Sequence, residues 1–131
     1  GNNNFGQLGL DNRDNQNLPI LYSSLLNEDI IDIRCGDSHT LVLTSNQNVL
    51  SCGDNRHNQL GRKTDGILFR SFHKIGKLSN ITRIECGRYQ SMCIDTNGDL
   101  YVFGNNGCGQ LGLGDIKIRC IPTKNPSLSN I

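Results

Sequence analysis

The chain holds no tryptophan, and only 5% of its 131 residues are aromatic. Three prolines and a single methionine complete the short supply. So few bulky side chains argue against a few long helices packed on a large core, and fifteen glycines point to many short strands joined by tight turns. Charge of one sign is missing too: thirteen Lys and Arg stand against twelve Asp and Glu, a formal net charge of +1. That balance gives no electrostatic ground for binding nucleic acid or an acidic membrane. No apolar run exceeds four or five residues, which excludes a transmembrane helix and a secretory h-region.

What is present is repetition. A nonapeptide Gly-x-Asn-x-x-(Gly/Asn)-Gln-Leu-Gly occurs three times, as GNNNFGQLG from Gly1, GDNRHNQLG from Gly53 and GNNGCGQLG from Gly104. The copies are spaced 52 and 51 residues apart. Sliding residues 30–53 forward by 51 lays them on 81–104 without a gap. Ile30 then meets Ile81, Ile33 meets Ile84, Cys35-Gly36 meets Cys86-Gly87, and Leu41-Val42-Leu43 meets Met92-Cys93-Ile94. Apolar residues match apolar ones while the charges scatter, as a shared packing scheme requires. A fixed period near fifty marks an array of one supersecondary unit.

Within the unit, residues 30–34 and 81–85 alternate apolar with polar, and residues 39–44 and 91–95 have nearly unbroken apolar centres. Both patterns belong to strands, the second to one covered on both faces. Asn97-Gly98 between two apolar runs predicts a type I′ hairpin turn, and Ser45-Asn46-Gln47-Asn48 makes the turn in the other copy. Residues 49–52 and 100–103 form the returning strands. Pro19, Ser71 and Pro122 align at the start of a fourth, outer strand, where a missing N–H is tolerated. Four antiparallel strands per repeat, arranged radially, describe a β-propeller.

The nonapeptide itself is read as a structural loop. Its sixth position is Gly6, Asn58 and Gly109, an exchange that predicts positive φ. Leu8, Leu60 and Leu111 plug the loop into the apolar gap between sheets, and Gln7, Gln59 and Gln110 satisfy its backbone. The remaining framework consists of Gly1, Asn3 and Gly9, of Gly53, Asn55 and Gly61, and of Gly104, Asn106 and Gly112. No helix N-terminus follows, so the loop is not a phosphate cradle.

Together with the upstream Cys-Gly-x-x-His-(Thr/Ser)-apolar segment, this loop resembles the signature of the regulator of chromosome condensation repeat family. The match covers essentially the whole chain, departing at Gln90, where His39 stands one repeat earlier, and at Asn58. The resemblance implies a seven-bladed propeller and a range of roles from nucleotide exchange on small GTPases to scaffolding beside kinase or ligase domains. Seven blades at this period need about 360 residues, so the chain is expected to be about two and a half blades of a longer array. Residues 1–29 end one blade, 30–80 make a complete repeat and 81–131 a near-complete one.

No catalytic, metal or cofactor set emerges. The six cysteines lack CxxC spacing and no histidine stands near one at zinc-finger distance. Cys35, Cys52, Cys86 and Cys93 read as buried free thiols suited to a reducing cytoplasm or nucleus, with Cys108 and Cys120 more accessible. Asp37, Ser38 and His39 are neighbours along a strand, so they point to different faces and cannot form a triad. Asp95, Asn97 and Asp99 open like a calcium loop, but Leu100 and Asn106 stand where Gly and Glu are required. The sequon Asn80-Ile81-Thr82 places Ile81 in a strand. Arg13, Arg70, Lys74 and Lys77 read as a solvated face, while Arg56, His57, Arg62 and Lys63 are the candidate partner contacts. The sequence therefore predicts a non-catalytic protein-interaction or scaffold module without cofactor, or alternatively part of a guanine-nucleotide exchange factor. The spacing leaves no room for the projecting hairpin that exchanging members carry. Open apolar flanks predict self-association of the isolated chain.

Overall fold

The structure, a computed structural model, describes residues 1–22 and 28–131. Among the described residues eight strands follow the first nonapeptide: β1 (Ile30–Cys35), β2 (His39–Thr44), β3 (Val49–Asp54), β4 (Leu68–Lys74), β5 (Ile81–Cys86), β6 (Gln90–Asp95), β7 (Leu100–Gly104) and β8 (Arg119–Lys124). They form two antiparallel four-stranded sheets, β1-β2-β3-β4 and β5-β6-β7-β8. Register repeats with the sequence: Ile33 pairs with Val42 and Ile84 with Cys93, Thr40 with Cys52 and Ser91 with Phe103.

Period-two alternation gives each sheet two faces. One face of the first sheet carries Leu41, Leu43 and Val49; the facing side of the second carries Ile81, Ile84, Cys93 and Phe103. With Ile75 and Leu78 from the turn into β5, these residues form the buried core, and half-buried Cys86 and Tyr101 pack against it. At roughly 25 cal/mol per Å² of apolar surface removed from water, this seam holds the sheets together.

The other face of the first sheet is partly open, which corrects the reading of Cys35 as a buried thiol. Cys35 is exposed whereas its counterpart Cys86 is half-buried, because Cys86 faces the first sheet and Cys35 faces the opposite way. Ile30 and Ile33 are 44% and 48% exposed, against 1% and 2% for Ile81 and Ile84. All six thiols are free, and burial raises those of Cys52, Cys93 and Cys86, holding them protonated.

Two local expectations change. Each hairpin turn has a single left-handed residue, Gln47 (φ 61°) or Gly98 (φ 76°), rather than the two of a type I′ turn. Gln47 N–H closes on Thr44 O at 2.9 Å and Thr44 N–H on Asn48 O at 3.0 Å, so three residues make the loop and the third carries the bulge. In the second hairpin Asp95 Oδ1 accepts from the backbone N–H of Asn97 and Asp99, at 2.9 and 3.0 Å, and so pins the turn. The outer strands also begin earlier than Ser71 and Pro122. Ser51 pairs with His73 and Val102 with Thr123, so Phe72, not Ser71, is equivalent to Pro122. Pro122 sits within the irregular stretch of edge strand β8, where its missing donor leaves no gap in a ladder. Residues 19–22 form no regular element, and residues 23–27, where the corresponding strand of the first copy was expected to continue, lie outside the described residues.

Candidate functional site

Each nonapeptide is a closed hydrogen-bond unit. The third residue, Asn3, Asn55 or Asn106, is buried, and its Oδ1 accepts from the backbone N–H of Leu8, Leu60 or Leu111 at 2.9, 3.0 and 2.9 Å. The same asparagine's amide reaches nine residues on, to Asn12, Thr64 or Asp115. The Gln7, Gln59 and Gln110 side chains accept from Phe5, His57 and Cys108 N–H, at 3.0, 2.9 and 2.9 Å. Gly6, Asn58 and Gly109 adopt φ of 78°, 60° and 73°, and Gly9, Gly61 and Gly112 are left-handed as well. Leu60 and Leu111 are buried, while Leu8 is half-buried beside the open face of the first sheet.

The loop then reaches forward to the next sheet. Thr40 Oγ1 donates to Gln7 O at 2.7 Å, and one repeat later Ser91 Oγ donates to Gln59 O at 2.8 Å. Thus the hydroxyl in His-(Thr/Ser)-apolar has a task that the sequence did not reveal: it clamps the preceding loop. His39, buried between the sheets, places Nε2 2.9 Å from Ser91 Oγ. Since Ser91 donates to Gln59, the imidazole is the donor here and Ser91 the acceptor. Two exposed ion pairs cross the same seam at equivalent positions, Arg34 to Glu85 at 3.1 Å and Arg88 to Asp37 at 2.7 Å.

At the loop end of the seam, rings and cations alternate across the repeats. The Arg56 guanidinium lies 4.8 Å from the Phe5 ring centre and is held by Asp54 through Nε at 3.0 Å and Nη2 at 2.9 Å. Asp54 is fully buried while half of Arg56 is exposed. The ring of His57 stacks on Tyr89 with centroids 4.6 Å apart, and Arg88 covers Tyr89 at 5.0 Å. These five groups come from three separate chain segments, so sequence reasoning found Arg56 and His57 but missed Phe5, Arg88 and Tyr89. Arg62 and Lys63 leave this rim for a different groove. Among the described residues no group of three or more His, Cys, Asp or Glu is placed to hold a metal, and no helix is long and apolar enough to cross a membrane.

The family model described as the regulator of chromosome condensation (RCC1) repeat matches residues 1–43, 46–94 and 97–131. The chain belongs to the RCC1 repeat family. Its sheets are blades of an RCC1 β-propeller. The probable E3 ubiquitin-protein ligase HERC4 of Homo sapiens is 36% identical over 126 residues, covering 93% of this chain and 12% of that protein. The human X-linked retinitis pigmentosa GTPase regulator is 35% identical over 130 residues, again 93% of this chain and 12% of that protein. Prp20p from Saccharomyces cerevisiae, whose crystal structure was described with its binding properties to Gsp1p and histones, superposes with a TM-score of 0.81. That likeness spans 95% of this chain and 33% of Prp20p at 21% identity, and it shows the fold. The RCC1 repeats here therefore span a small part of the relatives they match.

Proposed function

We propose that this chain is a non-catalytic protein-interaction module, its successive repeats 30–80 and 81–131 presenting the loop rim to a protein partner. The alternating cluster of Phe5, Arg56, His57, Tyr89 and Arg88 carries this reading. Arginine and tyrosine anchored on a rigid scaffold are the side chains that concentrate binding energy in interfaces, and the buried Asp54 preorganises Arg56 at little entropic cost. The three nonapeptides serve as the scaffold that fixes this rim. The binding of Gsp1p and histones by the related Prp20p fold supports a protein as the partner class. Six free thiols suit the cytoplasm or nucleus.

Nucleotide exchange on a small GTPase is the second reading, favoured by the same likeness. Among the described residues no strand pair projects beyond the two sheets, so the chain by itself is expected not to accelerate release of a fluorescent nucleotide from small GTPases. Clear acceleration would place exchange first. The interaction reading is tested by affinity capture and mass spectrometry with wild-type chain and the Arg56→Ala/Tyr89→Ala variant. Proteins retained by the former and lost by the latter are expected, each substitution weakening binding by about 1–2 kcal/mol. Identical capture profiles from two folded chains would reject the rim.

A further inference from the structure

Arg62, Lys63, Lys74 and Lys77 line one open groove of about 660 Å³ on the outside of the seam, together with Gly61, Gly76 and Ile121. Lys74 ends β4, Lys77 follows in the turn towards β5, and Ile121 belongs to β8, so the groove runs between the outer strands of the two blades. None of the four cations makes an ion pair among the described residues. Glu28, which shares a neighbouring hollow with Lys74, directs Oε1 to the side-chain amides of Asn46 and Asn48 at 3.0 and 2.9 Å, and the Lys74 charge acts on it only as a lesser influence behind these hydrogen bonds. Arg62 is half-buried and fixed: Nε donates to Ser51 Oγ at 3.1 Å, Nη2 to Ser51 O at 3.3 Å, and the guanidinium covers the Phe69 ring at 5.0 Å. Burial lowers the pKa of its guanidinium, against a smaller opposing effect of Cys52.

The repeat supplies an internal control, because a charge required by the blade would recur in the next one. At the positions equivalent to Arg62, Lys63 and Lys77 the following repeat has Leu113, Gly114 and Ser127. At the fourth stands Lys124, which is tied to Asp99 at 2.6 Å. The first blade has Asn48 where the second has Asp99, so Lys74 lacks the ion pair that ties Lys124 and meets only the charge of Glu28. The positive groove is thus a local addition to the fold, concentrated on one seam of a chain whose net charge is only +1.

We infer that this groove docks an extended acidic segment of a protein partner, whose Asp and Glu carboxylates meet Arg62, Lys63, Lys74 and Lys77. A peptide fits better than a nucleic acid. Four cations fall short of the roughly six to ten phosphate contacts of a typical nucleic-acid site. The ring face that could stack a base, that of Phe69, is already covered by Arg62. The two glycines and Ile121 offer backbone groups and one apolar wall, which suit an extended chain. This surface is independent of the rim.

The test is fluorescence anisotropy with a fluorescein-labelled dodecapeptide of alternating Glu and Ala and the full 131-residue chain. Saturable binding is expected, weakening about ten-fold in Lys63→Glu/Lys77→Glu and several-fold as salt rises from about 50 to about 300 mM. Gly76→Glu should weaken it equally. A Cβ at Gly76 meets no atom within 4 Å and its backbone is not left-handed, so that variant keeps the fold while obstructing the groove. Arg56→Ala/Tyr89→Ala should leave peptide binding unchanged. Absence of saturable binding, or its persistence in both groove variants at unaltered thermal stability, would overturn the inference. A single-stranded oligonucleotide of equal length that binds more tightly and is lost with the same variants would reassign the groove to nucleic acid.

Discussion

His39 sits where the seam can tolerate only a neutral imidazole. Its Nε2–H is used on Ser91, and its Nδ1 has no partner among the described residues, so a second proton would bring an N–H into the interior with nothing to accept it. Burial accordingly pushes the group down to about 4, against the weaker opposing pull of Asp54 and Asp37. Between pH 6.5 and about 4 the unfolded chain therefore takes up a proton that the native chain refuses, and stability falls as pH falls through that window. The loss attributable to this one residue should reach up to about 3 kcal/mol near pH 4.5. Gln90 occupies the same place in the next blade, so His39→Gln is compatible with the local backbone. Urea unfolding at neutral and acidic pH should show a shallower pH dependence for His39→Gln than for wild type. Parallel curves would mean that the imidazole titrates normally. Leu60, fully buried, gives a second residue-scale expectation: Leu60→Ala should cost about 2–5 kcal/mol in the same measurement.

Among the elements, the nonapeptide tolerates exchange only where its backbone conformation is kept. Asn58 at φ 60° is the one sixth-position residue with a side chain. Asn58→Gly should be neutral or stabilising within about 1 kcal/mol, whereas Asn58→Val should destabilise by about 1–2 kcal/mol, because a β-branched side chain strains the left-handed region. Thermal unfolding of both variants separates the two outcomes, and equal melting temperatures would deny the left-handed backbone. Strands were legible in the sequence wherever packing repeats, since Ile81, Ile84, Cys93 and Phe103 must fill the same seam in each blade. The outer strands were aligned one residue out between the copies because the stretch from Leu60 to Phe69 is one residue longer than that from Leu111 to Arg119, a difference that a rigid offset hides. Two of the five rim residues, Arg56 and His57, were legible and the other three were not. Arg88 and Tyr89 stand where the preceding repeat has Asp37 and Ser38, so no repeated pattern marks them, and only the three-dimensional approach of two chain segments joins Tyr89 to His57. Lys74 and Lys77 were read as a solvated face for the same reason: their grouping with Arg62 and Lys63 exists only across the fold.

At the scale of the whole molecule, the face bearing Ile30 and Ile33 leaves apolar surface in water beside Gln7, Leu8 and Val42. Exposed surface of this kind drives association, so the chain should oligomerise at micromolar concentration. Ile30→Lys/Ile33→Lys should return it to a monomer by size-exclusion chromatography with light scattering, and a wild-type chain that is monomeric throughout would refute this. The ion pairs of the seam add a direction to such growth. Arg34 faces Glu85 and Asp37 faces Arg88, each exactly one repeat apart in role though opposite in sign. Laying the second blade of one copy on the first of the next restores both attractions. Each exposed pair is weak on its own, yet both favour the same polarity. The contact they favour is head-to-tail, second blade on first, and the rotation between neighbouring blades of a propeller directs such growth towards a ring.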